Sequence, residues 1–79
     1  MNNYEPHVPE KIKEQIEKTF TYHAPKDDQT ERYSVLRDAA KFLAYMLVNN
    51  TPSSREQSLA ITHLEEAIFY ANAAIARNE

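Results

Sequence analysis

The chain has 79 residues, a formal net charge of −3, no cysteine and no glycine, with a mass of 9.2 kDa, so one domain over 1–79 is expected. Disulfide staples, thiolate metal sites, Rossmann and P-loop glycine motifs and glycine-dependent tight hairpins are excluded. Mild acidity argues against general attraction to DNA or an anionic membrane, and no apolar run approaches the roughly 20 residues of a membrane span. The start, Met1-Asn2-Asn3-Tyr4-Glu5, lacks the charged and apolar regions of a signal peptide, so a soluble intracellular protein is expected.

Four prolines punctuate the chain, at 6, 9, 25 and 52. An N-terminal arm is expected over 1–8, and a first helix over 9–22, with Pro9 suited to its first turn. Ile12, Ile16 and Phe20 recur every four residues as one narrow apolar stripe, and Glu14 and Lys18 form an i,i+4 pair. A stripe this thin must rest on something larger. Ala24-Pro25 breaks the pattern, and Asp27 or Asp28 is placed to cap a second helix over 28–49. That helix carries two stripes side by side: Leu36, Ala40, Leu43 and Leu47, then Val35, Ala39, Phe42 and Met46. The combined arc exceeds that of an ordinary surface helix and calls for more than one neighbour.

Asn49-Asn50-Thr51-Pro52 ends the second helix, with Asn suited to a left-handed C-terminal position. Ser53 and Glu56 have the spacing of a capping box for a third helix over 53–77. Its face of Ala60, Ile61, Leu64, Ala67, Ile68, Ala71, Ala74 and Ile75 is rich in small residues, which permits close backbone approach. The expected fold is all-α: a short N-terminal helix packed on a long antiparallel helical hairpin, assembled as a homo-oligomer. Oligomerisation enters because a domain this small buries only about 60% of its unfolded surface, and three scattered histidines offer no metal site in compensation.

Candidate binding groups gather at the breaks. Tyr22, His23 and Lys26 place a ring, an imidazole and an ammonium around one proline, suited to stacking on a nucleobase and neutralising a phosphate. Arg32, Tyr33 and Arg37 bring two guanidiniums near another ring, although Glu31 and Asp38 compete for them. Arg55 follows two serines at a helix N-terminus, where capping explains the hydroxyls and leaves the guanidinium for an anion. His63-Leu64-Glu65-Glu66 is not a metal motif and reads as a solvated face. No cysteine nucleophile or Ser/His/Asp set is legible, so catalysis is not expected.

Two strings carry a family resemblance. Ser53 to Arg77, with Leu64-Glu65-Glu66-Ala67 and Ala71-Asn72-Ala73-Ala74-Ile75-Ala76-Arg77 as its most specific portion, resembles the helical hairpin domain of phage anti-defence sponges. Arg32-Tyr33-Ser34-Val35-Leu36-Arg37-Asp38-Ala39-Ala40 does so more loosely. Anti-CBASS cyclic-oligonucleotide sponges and larger anti-Thoeris sponges share that domain. The short all-helical chain looks like the anti-CBASS branch.

The resemblance implies a compact homohexamer without catalysis or cofactor. It would sequester cyclic di- and trinucleotides, such as 3′,3′-cyclic GMP-AMP, in the cytoplasm of the infected host, and so keep CBASS effectors inactive. Tyr22 and Lys26 match the family's aromatic and lysine roles toward dinucleotides. Arg37, Arg55 and Arg77 are candidates for phosphate contacts, beside His23 and Tyr33. Two rivals stay open: an anti-Thoeris-type sponge for cyclic ADP-ribose isomers, and a helical protein–protein interaction module. Helix-turn-helix DNA binding is disfavoured by the acidic balance and by the length of both long helices.

Overall fold

Local signals along the chain resolve into α1 (Glu10–Phe20), α2 (Gln29–Asn49) and α3 (Arg55–Asn78), with no strand among the described residues. The computed structural model describes residues 7–79, so most of the arm expected over 1–8 lies outside the described residues. No helix among them is long and apolar enough to cross a membrane.

Helix ends follow their hydrogen-bond donors, and several differ from expectation. Pro9 stands just before α1 (φ −56°, ψ 144°) rather than inside its first turn, and its carbonyl accepts the first helical bond from Lys13 N–H at 2.9 Å. α1 stops at Phe20 because Thr21 is already extended. The His23 Nε2 atom then meets the otherwise free Lys18 carbonyl at 2.8 Å.

At the start of α2, Asp28 occupies the cap position without capping. Its carboxylate is taken by Arg32 Nε, 3.2 Å away. Asp27 turns the chain through φ 52°, a left-handed conformation that Asp tolerates better than most residues. Asn50 does not adopt the left-handed position foreseen for it: its φ is −110°. It ends α2 with two bonds to the Met46 carbonyl, from its backbone N–H at 3.1 Å and from Nδ2 at 2.7 Å.

The cap of α3 is shifted one residue from the expected Ser53 and Glu56. Ser54 is the N-cap, accepting from Gln57 N–H at 3.1 Å. Ser54 and Gln57 have the same S-x-x-E/Q spacing, so the motif was present twice in overlapping registers. The Gln57 side chain decides between them. Its Nε2 reaches across the turn to the Thr51 carbonyl and hydroxyl, each at 3.0 Å, and ties the end of α2 to the start of α3.

α2 and α3 form the antiparallel pair that packs along its length. α1 does not pack across this hairpin as foreseen; it stands at the hairpin's open end with Ile12, Ile16 and Phe20 exposed, Phe20 by 82%. The molecule extends 53 × 33 × 17 Å. No hydrophobic side chain among the described residues is buried. Two helices have only one interface between them, so the second stripe of α2 faces outward, with Val35 66% and Phe42 69% exposed beside Met46. The described residues by themselves form no enclosed core of the kind that normally offsets chain entropy.

The open end is closed by polar groups instead. Gln29, buried to 3% exposure, accepts from Lys26 N–H at 3.1 Å and donates to Glu79 Oε1 at 3.3 Å. Arg32 grips the same carboxylate with both terminal nitrogens, one of them 2.8 Å from Oε2. Hydrogen bonding to Arg32, assisted by Gln29, pulls the Glu79 carboxyl down from 4.5 to about 2, and the same pairing raises the Arg32 guanidinium above its usual range.

Because Glu79 is depressed in the folded state, its stabilisation is complete above pH about 4.5 and disappears as pH falls towards about 2. The melting temperature of wild type minus that of Glu79→Gln, followed by circular dichroism, should therefore shrink to zero across that window. The difference at neutral pH should be small, since exposed ion pairs contribute little. A difference independent of pH would show that the clamp does not hold in solution.

Candidate functional site

Where the C-terminal end of α1 meets the open end of the hairpin, an open groove of about 430 Å³ is formed. The extended segment after α1 supplies Thr21, Tyr22 and His23; α2 supplies Tyr33; and α3 supplies Phe69, Asn72, Ala73, Ala76 and Arg77. The α3 residues recur at i, i+3, i+4, i+7 and i+8, one face of one helix. Its alanines leave room between Phe69 and Arg77.

Tyr22 is 83% and Phe69 60% exposed, so both rings are accessible to a planar partner. Phe69 and Tyr70 pack at right angles, with centroids 5.4 Å apart and planes at 90°. His23 is fixed by its bond to the Lys18 carbonyl. Asn72 Oδ1 is out of contact with solvent and accepts no hydrogen bond, a deficit worth roughly 1–3 kcal/mol when uncompensated.

Of the seven residues singled out from the sequence, Tyr22, His23, Tyr33 and Arg77 share this groove. The other three lie elsewhere on the chain. The Lys26 backbone N–H is engaged by Gln29, and its ammonium lies near enough to Glu79 to favour that carboxylate. Arg37 belongs to a second groove of about 480 Å³ between α2 and α3, with Ala40, Lys41, Ala44, Ile61, Leu64, Glu65 and Ile68; its Nη2 also donates to Ser34 Oγ at 3.3 Å. Arg55 opens α3, 22 residues and about 33 Å from Arg77 along the helix axis.

The expected competition of Glu31 and Asp38 for the arginines is not what the structure contains. Asp28 and Glu79 take Arg32, so that guanidinium is engaged within the chain. Phe69 and Asn72 were not singled out as site residues. The signal for them was the spacing Phe69-x-x-Asn72-Ala73-x-x-Ala76-Arg77, legible only once Tyr22 and Tyr33 are known to face it. His63 pairs with Glu66 at 2.8 Å on the exposed side of α3. No cluster of three or more His, Asp or Glu side chains suited to a metal ion occurs among the described residues.

Chemically, the groove offers three aromatic rings, a guanidinium, an amide and an imidazole around an apolar floor. That set suits a planar, anionic, hydrogen-bonding ligand rather than a bond-breaking reaction. No curated protein and no solved structure matches the chain. The model of the Acb2/Tad1 hairpin domain does match, over residues 12–76, and spans both long helices and most of α1. The chain therefore belongs to the Acb2/Tad1 hairpin-domain family of phage anti-CBASS and anti-Thoeris sponges.

Proposed function

We propose that this protein is a phage-encoded sponge that binds and sequesters cyclic di- and trinucleotide messengers in the cytoplasm of the infected bacterial host, keeping CBASS effectors inactive without catalysing a reaction. The observation that carries this reading is the coincidence of the family's domain with a groove in which Tyr22, Tyr33, Phe69 and Arg77 converge. Aromatic rings stack on bases irrespective of sequence, and a guanidinium grips a phosphate through two donors. The groove's volume of about 430 Å³ falls within the roughly 300–1,000 Å³ usual for small-molecule sites.

The groove is open on one side, and an adjoining copy would close it. The exposed stripe Val35, Phe42 and Met46 supports such assembly, because monomeric proteins rarely leave an apolar row of this kind uncovered. The proposed assembly is a homohexamer. Lys26 supplies charge to a dinucleotide at the groove, and Arg37 and Arg55, remote from it within one chain, supply phosphate contacts where copies meet.

Titration calorimetry at micromolar protein is the direct test. 3′,3′-Cyclic GMP-AMP and a cyclic trinucleotide should each release heat and saturate, whereas the linear dinucleotide should bind at least tenfold more weakly. Saturation by a cyclic ADP-ribose isomer alone would transfer the protein to the anti-Thoeris class. Absence of heat with every nucleotide would leave the apolar stripe as the docking face of a protein-binding module and overturn the sponge reading.

A further inference from the structure

The second groove, towards the turn of the hairpin, has a floor of Ala40, Ala44, Leu64 and Ile68, with Arg37 and Lys41 on its α2 rim and Glu65 on its α3 rim. We propose that this groove receives α1 of a second copy of the chain. This rests on the homo-oligomer reading above and specifies which element one copy lends another.

The occupant is indicated by what the chain leaves uncovered. Ile12, Ile16 and Phe20 form a single apolar stripe on α1 that the chain's own hairpin does not cover, since all three are exposed. Alanines at 40 and 44 create the depression that three large apolar side chains would fill. On the α2 face, Tyr33, Arg37, Ala40 and Ala44 follow one another at i, i+4, i+7 and i+11, so the groove continues the surface that begins at the candidate site.

Charge order fits as well. At about 100° per residue, Lys13, Glu17 and, farther round, Glu10 flank one side of the α1 stripe, and Thr19 and Gln15 flank the other. One flank is net acidic and the other carries no charge. The groove offers cations on one rim and a carboxylate on the other, which favours one of the two directions in which α1 can lie.

The chain's own α1 is held out of this groove. The linker between Phe20 and Gln29 is anchored at His23 through the Lys18 carbonyl and at Lys26 through Gln29. Only Ala24 and Pro25 separate those anchors, so α1 remains tethered to the open end of the hairpin. An α1 from another copy carries no such tether.

The chain has no native cysteine, so cross-linking can be read cleanly. Ile16→Cys protein carrying an affinity tag is mixed with untagged Ala44→Cys protein and oxidised. A mixed disulfide dimer is expected in at least tenfold excess over a control pairing Lys11→Cys, on the far side of α1, with Ala44→Cys. Ile16→Glu should weaken self-association at least tenfold while circular dichroism retains the helical hairpin. If wild type sediments as an oligomer but the mixed dimer does not exceed the control, α1 does not occupy this groove and the proposal is overturned. Closure of a chain carrying both cysteines into an internal bridge at high dilution would overturn it too, by making α1 the occupant of its own groove. Wild type sedimenting as a monomer would instead defeat the oligomer reading itself.

Discussion

Tyr22→Ala and Phe69→Ala should each weaken binding of 3′,3′-cyclic GMP-AMP roughly five- to a hundredfold without changing helix content. Stacking of one base on one aromatic ring is worth about 1–3 kcal/mol by alanine substitution, and neither ring is part of an enclosed core, given exposures of 83% and 60%. The binding loss should therefore arise without a folding loss. Arg77→Ala should lose a similar factor, because a charge-assisted bond contributes about 1.5–3 kcal/mol. Arg77→Lys should recover only part of it, since an ammonium cannot reproduce the two-pronged grip on a phosphate.

Lys26→Ala discriminates between two arrangements of the site. A loss comparable to that of Arg77→Ala would mean that the bound ligand extends from the groove towards Lys26 or its counterpart on another copy. Unchanged affinity would restrict the site to Tyr22, Tyr33, Phe69 and Arg77. Should Tyr22→Ala, Phe69→Ala and Arg77→Ala all bind as wild type does in titration calorimetry, the groove is not the binding site.

Phe42→Glu should shift the protein from an assembly well above 9.2 kDa towards the monomer at micromolar concentration in sedimentation equilibrium. Burying a phenylalanine contributes about 1.5–3 kcal/mol per copy, and an unpaired carboxylate at a dry interface adds a further cost. The dissociation constant should thus rise at least a hundredfold. Phe42 is 69% exposed in the single chain, so the hairpin gains nothing internal from it, and far-ultraviolet circular dichroism of the variant should still report helix. The melting temperature should fall and become less dependent on protein concentration, because association stabilises the folded state by mass action. A wild type that sediments cleanly as a monomer would remove the basis for this prediction.

Much of the fold was legible in short-range patterns. Apolar recurrence marked all three helices, every four residues in α1 and in mixed steps of three and four in α2 and α3, and Pro25 and Pro52 marked the breaks, because these signals act within one turn of backbone. Errors of register were equally local. Ser53/Glu56 and Ser54/Gln57 satisfy the same capping spacing, and nothing in the string ranks them. The choice came from Gln57 reaching Thr51 across the turn. Asn50 was misplaced for a related reason: its amide found the Met46 carbonyl, which relieved any need for a left-handed residue.

The site was legible in part. Tyr22, His23, Tyr33 and Arg77 were separable from the background as aromatic and cationic residues near helix ends. Phe69 and Asn72 were hidden inside a helix whose apolar face was read as interface, and whether such a residue packs or lines a groove depends on what stands opposite. Arg32 shows the converse. It sits in a suggestive string beside Tyr33, yet Glu79, 47 residues away, claims it.

The amino-acid sequence alone determined that this protein is helical, that its two long helices reverse at Pro52, and that α2 carries more apolar surface than one neighbour can cover. Each of these follows from spacing within a few turns and from the absence of glycine and cysteine. Only the tertiary structure decided that the open end is sealed by Gln29, Arg32 and Glu79, that α1 stands off the hairpin, and that one groove gathers Tyr22 with Phe69 and Arg77. Those outcomes depend on which residues of α2 and α3 come level when the hairpin closes. That alignment is set by side-chain packing between distant segments, which no local period records.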